Sequence, residues 1–198
     1  AVPPMAKIEP STIVAWGETR VDPYAWMRNR ETDPDVLAYL EAENAYTEAA
    51  MAHTAPLQEQ LFEEIRARIQ ETDLSVPVRK GPWWYYSRTE EGKQYGISCR
   101  RAAVGDGPYD ESLPEVVLLD ENVEAEGHDF FALGAASVTM DGNVLAFSVD
   151  TVGDERYTMR FKNLRTGAFY DDVITGIAAG ATWAADNATL YYLTIDDA

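Results

Sequence analysis

Apolar and polar positions along this chain follow two different periods. Between Ser137 and Gly167 (SVTMDGNVLAFSVDTVGDERYTMRFKNLRTG) short apolar runs are separated by turn residues. Tyr157, Met159 and Phe161 alternate with Arg156, Thr158 and Arg160, the period of a half-buried strand. Val144 to Val149 is a nearly continuous apolar run with no helical gap. Asp141-Gly142, Val152-Gly153-Asp154 and Thr166-Gly167 supply residues that tolerate positive φ or bond their own backbone, as hairpin turns require. The stretch therefore predicts strand, turn, strand, turn, strand, turn.

The pattern recurs. TWAADNATLYYLTID, Thr182 to Asp196, repeats the register of SVTMDGNVLAFSV, with Asp186, Leu190 and Tyr192 standing 45 residues after Asp141, Leu145 and Phe147. An earlier copy, KGPWWYYSRTEEG at Lys80 to Gly92, lies 61 residues upstream: Trp84 matches Leu145 and Tyr86 matches Phe147. A strand-rich unit returning roughly every 40 to 60 residues fits the blades of a β-propeller. An ordinary antiparallel sheet with similar hairpins is the alternative.

Before the strands the period is helical. Thr32-Asp33-Pro34-Asp35 reads as a capped helix start with proline near the first turn and acids beside it. Val36, Tyr39, Leu40, Tyr46, Ala49 and Ala50 then form one stripe, ending near Ala52. Pro56 opens a second helix, where Leu57, Leu61, Ile65 and Ile69 stack at spacing four and are read as core contacts. Residues 1 to about 31 are read as irregular because Pro3, Pro4, Pro10, Gly17 and Pro23 interrupt them, and Trp16, Tyr24, Trp26 and Met27 suggest an arm packed on something large. Pro77 marks the change to β structure. A hairpin is expected over Trp83 to Arg88 and Gln94 to Arg101, a polar loop over Ala103 to Pro114, and a strand over Glu115 to Leu119. The reading is mainly β with N-terminal α-helices: an extended arm and two helices over 1–74, then the N-terminal part of a propeller over 75–198.

Composition narrows the function classes. Sixteen Lys and Arg against 34 Asp and Glu give a net charge of −18. Such a surface repels nucleic acid and anionic membranes and suits cationic ligands. No run approaches the roughly 18 apolar residues of a membrane span. AVPPMAKIEP lacks the apolar core of a signal peptide. With no Met at position 1, the chain is expected to be processed or part of something longer. Cys99 is the sole cysteine, read as a small buried core residue. Asn187-Ala188-Thr189 is read as a turn rather than a glycosylation site. Arg100-Arg101 is read as a solvated strand end.

Candidate chemistry is sparse. Gly96-Ile97-Ser98 begins like a nucleophile elbow but continues Cys99-Arg100 inside a strand pattern, where the hydroxyl would not stand on a strained turn. There is no phosphate-binding glycine loop and no zinc-like spacing. His53 sits at a helix end, and the neighbouring His128 and Asp129 have no third group at triad or metal spacing; all three are read as structural. No catalytic, cofactor-binding or metal-ligating residue is assigned.

Several long motifs carry a resemblance. VDPYAWMRNR at Val21 to Arg30 resembles the N-terminal arm of the prolyl oligopeptidase family of serine peptidases, and VLAYLEAENAY at Val36 to Tyr46 is similar to the helix that follows it. YYSRTEEGKQYGISCRR, LLDENVEAEGHDFFALG and GDERYTMRFKNLRTG look like the oligopeptidase B branch. Trp16-Gly17 departs from the His-Gly of many members. The resemblance runs from about Ile13 to Asp196. It implies the first two to three blades of a seven-bladed propeller, with a C-terminal α/β-hydrolase domain, supplying a Ser–His–Asp triad, as partner of the arm and helices. It implies a cytoplasmic enzyme that needs no metal or cofactor and cleaves short peptides after Arg or Lys, the propeller restricting access. The triad would lie outside this chain, so the segment alone is expected to be inactive, and poorly soluble or oligomeric. A non-catalytic propeller that serves as a binding or scaffold module is the alternative function.

Overall fold

The computed structural model describes residues 2–196. It divides into two compact units, Ala1–Ile69 and Gln70–Ala198.

The first unit begins with a correction. The segment read as irregular contains an antiparallel hairpin, β1 (Ser11–Ala15) and β2 (Glu18–Asp22). Its two-residue turn is Trp16-Gly17, both with positive φ (52° and 82°), the geometry of a mirror-image hairpin turn. A tryptophan there gives no turn signal, which is why the pattern hid it. A short 3₁₀ turn, Ala25–Arg28, then delivers Trp26 into the unit's small core. Helix α1 (Pro34–Met51) starts as its sequence dictates: the Asp33 carboxylate accepts from the Asp35 amide at 3.0 Å, and Pro34 occupies the first turn. Val36 is buried, and Tyr39 meets Trp26 edge-on at 6.2 Å. The Trp26 indole donates to the Lys7 carbonyl at 3.0 Å, while the Lys7 ammonium bonds Asp35 at 2.8 Å, so the arm is tied to the helix start.

Helix α2 (Ala55–Arg66) departs from expectation in another way. Leu57, Leu61, Phe62 and Ile65 are exposed, as is Ile69 beyond its end, so its apolar stripe is a surface rather than a core.

The second unit is two antiparallel sheets. The first is β3 (Val78–Lys80), β4 (Trp83–Arg88), β5 (Ile97–Ala102) and β6 (Val116–Asp120), paired in that order. A one-turn helix, α3 (Glu121–Glu124), follows it; Asp120 caps that turn by accepting from the Asn122 amide at 3.0 Å. The second is β7 (Ala132–Val138), β8 (Val144–Asp150), β9 (Tyr157–Asn163), β10 (Phe169–Trp183) and β11 (Leu190–Thr194). β10 is long enough to serve twice. Its first part pairs with β9 and its second with β11, with register shifts around Ile177. Thus the earliest of the three sequence copies sits in one sheet, and the other two share the second through β10.

The repeats are structurally equivalent. Val138 pairs with Leu145 and Ala136 with Phe147; 45 residues on, Trp183 pairs with Leu190 and Ala181 with Tyr192. The backbone bond from Thr139 N to Val144 O, 3.0 Å, returns as Ala184 N to Thr189 O, 2.8 Å. In both turns an aspartate bonds the residues that follow. Asp141 accepts from the Asn143 amide, and Asp186 accepts from the amides of Ala188 and Thr189. Asp150, almost fully buried, holds the β8–β9 turn by accepting from the amides of Val152, Gly153 and Glu155 at 2.8 to 2.9 Å. Those bonds keep its carboxyl below the usual range.

The sheets stack with a constant sense. Tyr85 of β4 and Leu118 and Leu119 of β6 meet Leu145 and Phe147 of β8 in one core. The opposite face of β8 and β9 presents Ala146, Met159 and Phe161 to Ile177, Trp183 and Leu190. The opposite face of β4 and β5 carries Tyr86, Ile97 and Cys99 beneath Tyr109. β4 and β8 thus show alternate residues to opposite cores, as strands stacked in propeller blades do.

Candidate functional site

The sequence-level candidates are dispersed. His53 is exposed at the end of α1, its Nδ1 3.0 Å from the Ala50 carbonyl. His128 and Asp129 are exposed on the loop after α3 and line an open polar hollow of about 310 Å³ with Lys93, Tyr95 and Asn122. Ser98 lies mid-strand, paired with Ser87. Among the described residues no three His, Cys, Asp or Glu side chains are grouped to hold a metal ion.

What the fold does assemble is a charged cluster that the sequence reading passed over. Glu115 enters at the end of the 103–114 loop, just before β6. Its carboxylate accepts from the Tyr86 hydroxyl at 2.7 Å and from Arg88 Nε at 3.1 Å, with Arg101 at 3.8 Å. Arg101 also donates through Nε to the Tyr109 hydroxyl at 3.1 Å and through its guanidinium to the Leu113 carbonyl. Tyr109 in turn packs edge-on against Trp84 and Tyr86. Burial pushes the Glu115 carboxyl up, but the Tyr86 and Arg88 bonds and the two guanidinium charges outweigh it and leave the group below its ordinary value. The same burial, then the same carboxylate, raises Tyr86. The Cys99 thiol is driven to about 11, by burial first and Glu115 second. Glu115, Tyr86, Arg88, Arg101 and Tyr109 are all hydrogen-bonded and none is an activated nucleophile, so the cluster fastens the loop over one face of the first sheet.

Arg100 corrects the reading of Arg100-Arg101 as a solvated end. It is 3% exposed, stacks on Trp83 at 3.8 Å, and donates to the Gly142 carbonyl at 2.6 Å. Gly142 has φ +75° and a Cβ there would lie 3.2 to 3.3 Å from Trp83 and Arg100, so a side chain would strain the turn and crowd its seat on the first sheet. Lys162 Nζ, donating to the Leu118 carbonyl at 2.9 Å, and Arg160, bonded to Glu124 at 2.7 Å, complete the polar ties between sheets. The signal available in the sequence was the basic residue opposite an apolar one on neighbouring strands, Trp84 with Arg101 and Leu145 with Lys162.

These stacked, repeated, cation-stapled sheets are the geometry of propeller blades. A family model described as the prolyl oligopeptidase N-terminal β-propeller domain matches residues 3–198. The chain belongs to the prolyl oligopeptidase family. Dipeptidyl aminopeptidase BI of Pseudoxanthomonas mexicana is 39% identical over 210 residues, covering 99% of this chain and 29% of that protein. Protease 2 of Moraxella lacunata is 32% identical over 196 residues, covering 98% of this chain and 28% of that protein. The structure of oligopeptidase B from Leishmania major superposes with a TM-score of 0.87 at 32% identity, over 99% of this chain and 29% of that one. The chain therefore spans less than a third of the length of these relatives. As the propeller part of a prolyl oligopeptidase family protein, its residues build the blades and their fastenings. Among the described residues no helix is long and apolar enough to cross a membrane.

Proposed function

We propose that this chain is the N-terminal helical and propeller part of a cytoplasmic serine oligopeptidase that cleaves short peptides after Arg or Lys, with the propeller restricting access to an active site supplied by a C-terminal α/β-hydrolase domain. The observation that carries the reading is the family match over residues 3–198, together with the fit to oligopeptidase B. Two physical features support it. The exposed apolar stripe of Leu57, Leu61, Phe62 and Ile65, with Trp16 fully exposed at the hairpin tip, is a surface suited to a large packed partner. The net charge of −18 favours the approach of cationic peptides.

A second reading is favoured by the 39% identity to a dipeptidyl aminopeptidase: removal of dipeptides from free N-termini. The full-length gene product separates the two. An N-blocked fluorogenic peptide ending in Arg or Lys is cleaved by an endopeptidase only, and a dipeptidyl reporter with a free amino group is required by the aminopeptidase. Abolition of either activity by a serine-directed phosphonate identifies the nucleophile class. Hydrolysis of neither substrate would leave the propeller as a non-catalytic binding module and reject the proposal.

A further inference from the structure

The second sheet bears an open cavity of about 350 Å³ whose lining includes Phe161, Tyr170, Asp172, Ile174 and Trp183. Its chemistry is that of a cation box: three aromatic rings and a carboxylate, in a chain of net charge −18. The internal repeat says what belongs there.

In each of the two sheets the third strand places a basic residue on the same face, Arg101 under its own sheet's 103–114 loop and Lys162 against the preceding sheet. Arg101 stands opposite Trp84, lies 5.9 Å from the Tyr86 ring and donates to the Leu113 carbonyl. Lys162 stands opposite Leu145, lies 5.9 Å from the Phe169 ring and donates to the Leu118 carbonyl. Leu190 repeats Leu145 at an offset of 45, in pairing and in turn hydrogen bonding. A third strand beside β11 would then carry the counterpart of Lys162 around position 207.

The receiving carbonyl can be placed the same way. Cys99 and Arg160 are equivalent, since they face Tyr86 and Phe147, and they pair with Val117 and Val173. Leu118, which receives Lys162, is the extra residue of a bulge that follows Val117; the residue that follows Val173 is Ile174, and Ile174 lines the cavity.

We propose that this cavity is the seat of the strand that follows β11 in the full polypeptide, and that a lysine or arginine around position 207 fills it. Its aliphatic stem lies against Phe161 and Trp183, and its cation is shared between the Ile174 carbonyl and the Asp172 carboxylate. The inference rests on the reading above only in requiring that the polypeptide continue, as its relatives' greater length supports.

The test begins with the coding sequence: a Lys or Arg within about two residues of position 207 (the latitude of a β-bulge), in an alternating strand pattern, is expected. A window without one, or a chain that stops at Ala198, overturns the proposal. In the full-length protein, replacing that residue by Met should speed hydrogen exchange of the β10 amides by about tenfold or more. Lys162→Met should do the same for β6, and a Lys–Arg exchange should restore protection. Unchanged β10 exchange in the Met variant overturns the proposal, as does protection of β10 in the unmodified full-length protein by added arginine amide, which would mean that the cavity stands open to free ligand. Peptide hydrolysis is scored separately: no hydrolysis by the unmodified full-length protein with the β10 effect present sinks the enzymatic reading alone, and hydrolysis without the β10 effect sinks only the strand assignment.

Discussion

Glu115→Gln is the perturbation that probes the fastening of the 103–114 loop most directly. The side chains of Glu115, Arg88 and Arg101 are 22%, 26% and 18% exposed, so the site lies between the fully screened and fully buried limits. Exposed pairs contribute about 0–1 kcal/mol, and breaking one partner of a buried pair costs about 3–5. Glutamine keeps a neutral acceptor for Tyr86 but removes the anion that Arg88 and Arg101 share, Arg88 keeping its pair with Glu90. A loss of about 2 kcal/mol follows, or about thirtyfold in the local opening equilibrium. Hydrogen exchange of the β4 and β5 amides in the full-length protein reads that ratio at the site. The sign with pH is fixed by the depressed carboxyl. Its contribution is present above the unfolded value, near about 4.3, and is lost as pH falls through the lower folded value. The thirtyfold deficit of Glu115→Gln should therefore hold at pH 7 and shrink below about pH 4. Equal protection in both proteins at pH 7, or a deficit that stays constant down to pH 3, would refute the reasoning.

Three further outcomes are expected. Gly134→Ala should destabilise the second sheet by about 1–3 kcal/mol in denaturant unfolding, because the new Cβ would lie 2.5 Å from the Tyr157 ring and 2.7 Å from Ser148 Oγ. Cys99, buried and raised to about 11, should resist a thiol-reactive disulfide reagent at pH 8 and react fully once the protein is unfolded. Trp16→Asn should leave β1–β2 intact or steady it by up to about 1 kcal/mol, read from backbone NMR shifts, since asparagine suits the φ of +52° better than tryptophan.

The strands were legible where side-chain alternation and turn chemistry agreed. Asp141-Gly142 and Asp186-Asn187 announced their turns because aspartate bonds the amides that follow it, a local interaction that needs no tertiary context. The helix start at Asp33-Pro34 was readable for the same reason. The β1–β2 hairpin was not, because its turn begins with Trp16, and the residues flanking it are nearly all exposed, leaving no alternation to see. The stripe on α2 was legible as a stripe but not as a surface: periodicity states which residues share a face and nothing about what covers it.

Glu115 and Arg100 were illegible for a different reason. A charge run at a strand end is solvated unless distant chain covers it, and here the cover comes from Tyr109 for Arg101 and from the Gly142 turn for Arg100, 42 residues on. Yet the pairing register exposes a rule that the linear pattern hides. Residues on the corresponding face run Trp84, Tyr86 in β4 and Leu145, Phe147 in β8, and the cation opposite the first of each pair is Arg101 or Lys162. In the second sheet it ends on a backbone carbonyl of the preceding layer, Leu118 of β6, and in the first on Leu113 of the loop that covers its own sheet. A carbonyl acceptor requires no matching acid in the partner strand, so the staple can recur between blades whose sequences differ. Hydrogen bonds of a charged donor contribute about 1.5–3 kcal/mol each. That is enough to fix the register between layers whose apolar contacts alone, being non-directional, would tolerate sliding. The repeat is therefore kept by position rather than by residue identity, which is how three copies as different as WWYYS, VLAFS and TLYYL hold one architecture.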